Sequence, residues 1–362
     1  VIGLVFAGGG TGGHLYPGLA VAEAVRTREP DAKIRFLCSD RPLDAELLRA
    51  EGVEFDVLPA GPFSLRPRKL MKCLSGWGPS VRVTRGLLRG LKAECERVEL
   101  VAVGGFVAAP AAQAARVERV PVTLLNLDAV PGKANRLIAR RAHRIVSTAP
   151  TVQGWERIPP IVRASARPPG DARTCRERLG LDPDAPVLLV TGGSQGARSI
   201  NELMTAFVRV HGDALRGWQV IHQTGKGGDS GAARACADAG VRTLVHEFFD
   251  VPGLIWGAGE LAVSRAGAGS VADAWTAGTP TLFMPYPYHR DEHQRRNAEP
   301  LVEAGLAVLA DDLIDPARNL GSAGATLLGL LGDADRRGSM RSAAAALGPP
   351  DGAERLAVLV AG

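Results

Sequence analysis

Residues Val5–Ala20 read VFAGGGTGGHLYPGLA, with five glycines and one threonine in six consecutive positions and His14 directly after them. The apolar run VIGLVFAGG has strand length, and a helical pattern follows from Pro17 to about Arg28 and closes at Pro30. The second half of the chain starts in the same way: APVLLVTGG reads as a strand, TGGSQGAR as a glycine-rich turn, and a helix follows from about Ala197. The two starts echo each other. They predict an α/β chain of two Rossmann-like domains with parallel sheets facing across a cleft, each with a glycine-rich turn at the carboxyl end of its first strand. Such a turn lets backbone N–H groups approach an anion at a helix start, and phosphate is the natural ligand. A tight strand-to-helix connection needs the same glycines, so one turn alone does not decide between the two readings.

Neither turn follows the common phosphate codes. GGGTGGH lacks the lysine and hydroxyl pair of a P-loop, and it fits GxGxxG only loosely through Gly8, Gly10 and Gly13. Asp40, after the second strand, keeps a dinucleotide reading open.

With 362 residues, the chain exceeds the size at which one core usually keeps growing. Apolar residues make up 46% and charged residues 22%, an ordinary balance for a folded α/β protein. Cys38, Cys73, Cys95, Cys175 and Cys236 are odd in number and never spaced CxxC, which argues against a disulfide framework or a zinc site and fits a reducing cytosol. There is no uninterrupted apolar run of about 18 residues and no signal-peptide pattern. Val1 opens directly on a strand, which implies a trimmed initiator methionine or tag. The net charge of +5 is unevenly spread: Arg66, Arg68, Lys69, Lys72, Arg82, Arg85, Arg89 and Lys92 occur with no acid among them, interleaved with Leu65, Leu70, Met71, Leu74 and Trp77. This pattern suits an anionic membrane surface, where each cation adds about 1 kcal/mol, and equally a solvated helix face over a core. No nucleic-acid recognition module accompanies it.

Between the two starts the rhythm is βαβα, with AKIRFLCS, EFDVLPA, ELVAVGG and PVTLLN as strands and DAELLRAEG and APAAQAARV as helices. Arg157–Arg173, rich in proline and arginine, reads as the linker, so the domains are 1–163 and 164–344. The last helix, within about 345–362, packs on either. In the second half WQVIHQTG, RTLVHEF, GELAVSR and PTLFMPYP read as strands. In SRAGAGSVADAWTAGTP, Ser270 and Asp273 make a capping-box-like helix start, and Gly278 and Pro280 stop the helix. The other use of Asp273 is to accept hydrogen bonds from sugar hydroxyls. In PYPYHRDEHQRRNA, His293, Gln294 and Asn297 project from the start of a helix, where amide and imidazole groups suit a hydroxyl-rich ligand.

Taken in order, GGTGGH, GGFVAAP, GGSQGARSIN, IHQTGK, SRAGAGSVADA and HQRRNA resemble the MurG family, from Val1 to about Leu309. The family transfers N-acetylglucosamine to the lipid-linked muramyl-pentapeptide intermediate of peptidoglycan. The resemblance implies a GT-B fold, with UDP-N-acetylglucosamine on the carboxyl domain and the undecaprenyl-diphosphate-linked acceptor on the amino domain. It also implies a peripheral position on the cytoplasmic face of the plasma membrane, and a role in cell-wall biogenesis, cell shape and division. On the donor side it points to Ser194 for phosphate, Gln195 beside it among the donor-binding residues, Arg163 as the family's arginine, and Phe249 at the uracil. Ala268, Gly269, Ser270 and Asp273 match the nucleotide loop and helix start, and Gln294 holds the sugar with Asn297 beside it. Thr11, Gly12 and Gly13 are implied for both substrates, and His14, Gly104, Gly105 and Phe106 for the acceptor diphosphate.

The chain departs from the family pattern in several places. HEQN is LNLD here, so the asparagine that contacts the donor sugar is Asp128; the helix-start glutamate is Asp273; GGY and its serine are GGFVA; and the GNP before Val162–Arg163 is missing. The expected reaction is an inverting displacement in which an acceptor hydroxyl attacks the anomeric carbon and UDP leaves. His14 is the candidate base, because imidazole titrates near neutrality. Helix-end N–H groups stabilise the leaving diphosphate, so no cofactor and no tightly bound metal are expected. A related transferase with another nucleotide sugar or acceptor, and a non-catalytic sugar-nucleotide-binding protein, stay open.

Overall fold

Strands such as Ile2–Ala7 (IGLVFA) and Val187–Thr191 (VLLVT, apolar up to its last residue) are buried almost end to end, as strands covered by helices on both faces must be. The computed structural model describes residues 1–10, 12–61, 67–151, 153–193, 195–228 and 231–362, and it divides into two compact units: Val1–Arg163 with Asp351–Gly362, and Ala164–Pro350. Thr11, Ser194, Leu65 and Arg66 lie outside the described residues, as do the side chains of Arg68, Lys69, Leu70 and Lys72.

The first unit holds strands β1 (Ile2–Ala7), β2 (Lys33–Ser39), β3 (Phe55–Leu58), β4 (Arg97–Ala102), β5 (Val122–Asn126), β6 (Arg144–Ser147) and β7 (Glu156–Arg157), with helices α1 (Gly12–Arg28), α2 (Pro42–Ala50), α3 (Pro67–Glu94), α4 (Gly105–Val117) and α5 (Lys133–Ala139). The sheet is parallel in the order β3-β2-β1-β4-β5-β6-β7. Strand order reverses between β1 and β4, whose last residues, Ala7 and Ala102, lie side by side. This is where a doubly wound sheet leaves a crevice for a ligand.

The second unit repeats the plan with β8 (Val187–Thr191), β9 (Gln219–Gln223), β10 (Arg242–His246), β11 (Leu261–Ser264), β12 (Thr281–Phe283) and β13 (Ala307–Leu309) in the parallel order β10-β9-β8-β11-β12-β13. Its helices are α6 (Ala172–Arg178), α7 (Arg198–His211), α8 (Gly231–Asp238), α9 (Pro252–Ala258), α10 (Ala268–Ala277), α11 (His293–Ala304), α12 (Pro316–Asn319), α13 (Ala325–Gly332) and α14 (Ala334–Ala343). The reversal here falls between β8 and β11, where Thr191 pairs with Ser264.

The final helix, α15 (Gly352–Ala361), returns to the first unit. Leu356, Ala357 and Val360 are buried in the same core as Leu15, Leu19 and Val25 of α1. Gly352 makes the return possible, since a Cβ there would stand 2.0 Å from the Pro159 carbonyl oxygen.

Two sequence expectations are corrected. The helix expected from Pro17 starts at Gly12, because Gly10 takes φ 95° and turns the chain early; Pro17 sits inside the helix and forgoes one backbone hydrogen bond. His14 is therefore in the first turn of α1. The capping box at Ser270 does not form: Gly267 is the N-cap, no side chain caps it, and Ser270 lies within the first turn of α10. Gly278 does end that helix, with φ 61°. The proline-rich stretch contains the boundary between the units, at Arg163 and Ala164; its Ile158 and Ile161 enter the first core and Ala164–Ala166 form a helical turn.

Leu356→Ala is expected to destabilise the first unit by about 2–5 kcal/mol, the usual range for a buried leucine whose cavity stays open. Urea unfolding of the full chain measures it.

Candidate functional site

In the first unit, the carboxyl ends of β1, β4 and β5 bring together Gly8–Gly10, His14, Gly104–Phe106 and Asn126–Asp128. The His14 ring lies on the Gly104–Gly105 turn. A Cβ on Gly104 would be 2.9 Å from its Cδ2 and 3.2 Å from its Nε2, and one on Gly105 would be 2.5 Å from the Gly9 carbonyl oxygen. Both glycines also have positive φ, 122° and 76°, so no other residue fits. Gly10 lies against the Phe106 ring, where a Cβ would be 2.8 Å from Cε1. Gly104 is the N-cap of α4 and offers no side-chain cap, which leaves first-turn N–H groups to a ligand.

Amide side chains hold the third edge. Asn135 Nδ2 donates to Asn126 Oδ1 at 3.0 Å, and Asn126 Nδ2 donates to the Asp128 carbonyl at 2.6 Å and to Ser147 Oγ at 2.9 Å. Burial holds the half-buried His14 imidazole below its usual pKa, while the Asp128 and Asp44 charges pull it back up. At neutral pH the ring is thus weighted toward the neutral form a base requires.

In the second unit two glycine turns interlock. Gly196, φ 71°, and Gly225, φ 82°, pass so closely that a Cβ on Gly225 would be 2.2 Å from the Gly196 Cα. Gln223 clips them together: its Nε2 donates to Thr191 Oγ1 at 3.2 Å and the Gly193 carbonyl at 3.0 Å, and its Oε1 accepts from Phe249 N at 3.0 Å. Asn201 Nδ2 donates to the Thr224 carbonyl at 2.9 Å, which turns its Oδ1 toward His222 Nε2, also at 2.9 Å. His222 therefore donates through Nε2.

Gln195 is exposed in its turn, while Phe249 is 8% exposed and packs edge-on to His246, so its ring offers little face to a base. Gly269 and Ser270 are in the first turn of α10 with Ala268 at its start, and Asp273 is in the second turn. No hydrogen bond of the Asp273 carboxyl is found among the described residues, and desolvation pushes it up to about 7. Gln294 Oε1 accepts from Tyr286 N at 2.8 Å, and buried Asn297 reaches the Ala266 carbonyl at 3.4 Å. His293 pairs with Asp291 at 2.9 Å, which holds that carboxyl below its ordinary range. Arg163 belongs to the first unit, bonded to Glu51 at 2.5 Å with its guanidinium 5.0 Å from the Tyr16 ring centroid.

Several residues escaped the sequence reading. Asp44 and Arg41 hold Gly10. Arg265 is buried against Asp312 at 2.6 Å and Ser199 at 2.8 Å, beside an open cleft of about 680 Å³ lined by Arg198, Tyr286 and Ile314. Asp312 lies far from any motif, so nothing local announced it. The basic segment also changes meaning. Arg85 and Arg89 both pair with Glu118 at 2.6 and 3.0 Å, Lys92 reaches the Glu118 carbonyl, and Trp77 donates to Gln113 at 2.6 Å. These four serve the α3–α4 contact, whereas Met71 and Leu74 are 70% and 68% exposed.

Among the described residues no group of three or more His, Cys, Asp or Glu is placed to hold a metal ion, and no helix is long and apolar enough to cross a membrane.

Two Rossmann-like domains with glycine-rich turns at both switch points are the architecture of GT-B glycosyltransferases. The profile of the glycosyltransferase family 28 N-terminal domain matches residues 4–147, and that of the family 28 C-terminal domain matches residues 187–352. The chain belongs to glycosyltransferase family 28. A relative from Nocardioides sp., the UDP-N-acetylglucosamine--N-acetylmuramyl-(pentapeptide) pyrophosphoryl-undecaprenol N-acetylglucosamine transferase, is 36% identical over 365 residues, 99% of this chain and 97% of the relative. The protein of the same name from Clavibacter sepedonicus is 37% identical over 98% of this chain and 95% of its own. In fold the chain is similar to the crystal structure of Acinetobacter baumannii MurG, with TM-score 0.73, 23% identity and 99% of both chains covered.

The buried His222 generates an acid-sensitivity prediction. Its Nδ1 has no partner among the described residues, and burial lowers its pKa from 6.5 to about 4. Below pH 6.5 the unfolded chain takes up a proton that the folded one refuses, so stability is full above that pH and falls as pH drops toward 4. The loss is expected to total about 3 kcal/mol. Denaturant unfolding across that range, compared with His222→Gln, measures it; the variant is expected to show a shallower slope.

Proposed function

We propose that this protein is an inverting glycosyltransferase that moves N-acetylglucosamine from UDP-N-acetylglucosamine to N-acetylmuramyl-(pentapeptide) pyrophosphoryl-undecaprenol, in peptidoglycan synthesis. The observation that carries the reading is the near-complete match to relatives bearing that activity in their names, on a chain with glycine-rich turns at both switch points. In this reading the first unit takes the acceptor. His14 accepts the proton of the sugar hydroxyl as that oxygen bonds to the anomeric carbon. The bond from that carbon to the UDP oxygen breaks, and UDP departs with the electron pair. The uncapped start of α10 and the Gly192–Gly196 turn stabilise the departing diphosphate, and Asp273 and Gln294 receive hydroxyl groups of the donor. The reaction needs no cofactor and no resident metal in this scheme.

Turnover with UDP-N-acetylglucosamine and a short-chain lipid acceptor tests the function. His14→Ala is expected to lower kcat at least 100-fold, the scale of a lost general base, while calorimetric donor affinity stays within about twofold. Near-normal turnover in that variant removes His14 from the role. UDP release with a different nucleotide sugar only would assign another donor.

The acceptor's lipid gives the exposed apolar residues of α3 a use: Met71 and Leu74 dock on the anionic cytoplasmic leaflet, assisted by cations of the same segment. Met71→Glu with Leu74→Glu is expected to weaken binding to phosphatidylglycerol vesicles at least tenfold while leaving donor affinity intact, as vesicle co-sedimentation and calorimetry measure. Unchanged co-sedimentation rules this dock out.

A further inference from the structure

The buried carboxylate of Asp44 is used in none of the steps above, yet it is bonded to the turn that leads into His14. Asp44 sits in the first turn of α2, the usual place for an acid that caps its own helix or faces water. It does neither. It is 1% exposed, and its Oδ2 accepts from Gly10 N at 2.8 Å, Ser39 N at 3.2 Å and Ser39 Oγ at 2.5 Å. Its Oδ1 is buried without a partner among the described residues, and no cation there is paired with it.

The other face of the same glycine is held as well, since Arg41, the N-cap residue of α2, donates to the Gly10 carbonyl. Both peptide groups of Gly10 are thus gripped from one helix start. Gly9 confirms how tight the grip is, because a Cβ there would be 2.7 Å from Asp44 Oδ2 and 2.8 Å from Ser39 N.

A buried carboxylate without a cation is costly, and a neutral amide could close one of these hydrogen bonds without that cost. The charge therefore calls for a use beyond fastening a loop. We propose that Asp44 is a positioning residue for glycosyl transfer, fixing the Gly8–Gly10 turn so that His14 meets the acceptor hydroxyl, with Arg41 as the second half of the clamp. The proposal rests on His14 being the base.

The charge also acts on His14 directly. Among the described residues, the charges acting on the imidazole include Asp128 after β5 and Asp44 from α2; the Gly104–Gly105 backbone at α4 lies against the ring with the Asn135 amide from α5 beside it, and the Arg41 cation is held on the Gly10 carbonyl. Asp44 and Asp128 both favour the protonated ring, so removing either charge lowers its affinity for protons.

Steady-state kinetics of the full chain, with UDP-N-acetylglucosamine and a short-chain lipid acceptor, tests the clamp. Asp44→Asn is expected to lower kcat about 10- to 100-fold, the scale of a misaligned reacting group, with donor affinity within twofold and the acid limb of the kcat/KM profile moved to lower pH. Asp44→Glu, which restores the charge, is expected to return the limb to its wild-type position. Arg41→Ala alters an exposed residue that does not threaten folding, and is expected to lower kcat about 3- to 10-fold without moving donor affinity. Wild-type kcat and an unmoved limb in Asp44→Asn overturn the proposal. So does a loss of activity that only tracks the unfolded fraction, measured by thermal melting. If Asp44→Asn does not fold, wild-type kcat in Arg41→Ala overturns the clamp. Near-normal turnover in His14→Ala removes the base and this proposal together, whereas an inactive His14→Ala beside a fully active Asp44→Asn removes this proposal alone.

Discussion

No methyl group fits between Gly104 and the His14 ring, between Gly9 and Asp44, or between Gly196 and Gly225. This exclusion of Cβ atoms at the carboxyl ends of the central strands is the constraint on which both units depend. Where two backbones pass at such distances, their N–H groups reach the surface together instead of being screened by side chains. A parallel sheet already leaves a crevice where its strand order reverses, and the close approach places hydrogen-bond donors in that crevice. The glycines are then a steric requirement of the turns, and the anion binding proposed for them follows from what they expose.

A backbone packed this tightly carries polar groups that must be satisfied from beneath. The first unit uses a relay of amides from Asn135 through Asn126 to the Asp128 carbonyl and Ser147. The second uses Gln223, which spends its carboxamide on Thr191, Gly193 and Phe249, and Asn201, which joins His222 to Thr224. Arg265 and Asp312 add a buried ion pair tied to Ser199. Removing one member of such a pair typically costs 3–5 kcal/mol, because the other is left as an uncompensated charge. These networks fix where the turns stand more than they add to net stability.

The strand, glycine turn and helix order was legible in the sequence because each piece has a local signal: an apolar run, a cluster of glycines, then a 3.6-residue period. Helix starts were less legible. Pro17 imitates a first helical residue, and Ser270 with Asp273 imitates a capping box, while the real starts depend on Gly10 and Gly267. Charge was least legible. Arg85 and Arg89 look unopposed along the sequence because their acid, Glu118, arrives from the end of the next helix, where its backbone carbonyl also receives Lys92. Asp44 and Asp312 escaped for the same reason: each bonds to residues far away in the chain, and no spacing rule reaches that far.

The two sites meet the same electrostatic problem from opposite sides. Burial disfavours charge on any titratable group, so it lowers the pKa of His14 and raises that of Asp273 to about 7. Each unit therefore holds a group that is wholly or partly neutral near physiological pH in the place proposed to receive a diphosphate-bearing substrate. A neutral or half-neutral carboxyl does not repel incoming phosphates as a full charge would, and it can still bond to a hydroxyl. A phosphate brought near the imidazole has the reverse influence, since negative charge strengthens the ring's hold on a proton. In the proposed reaction an acceptor phosphate would thus move His14 toward the basicity its step needs, with burial working against premature protonation. The nearby carboxylates of Asp128 and Asp44 keep that suppression from going too far, so both acids tune the proposed base, and Asp44 also fixes the shape of the turn.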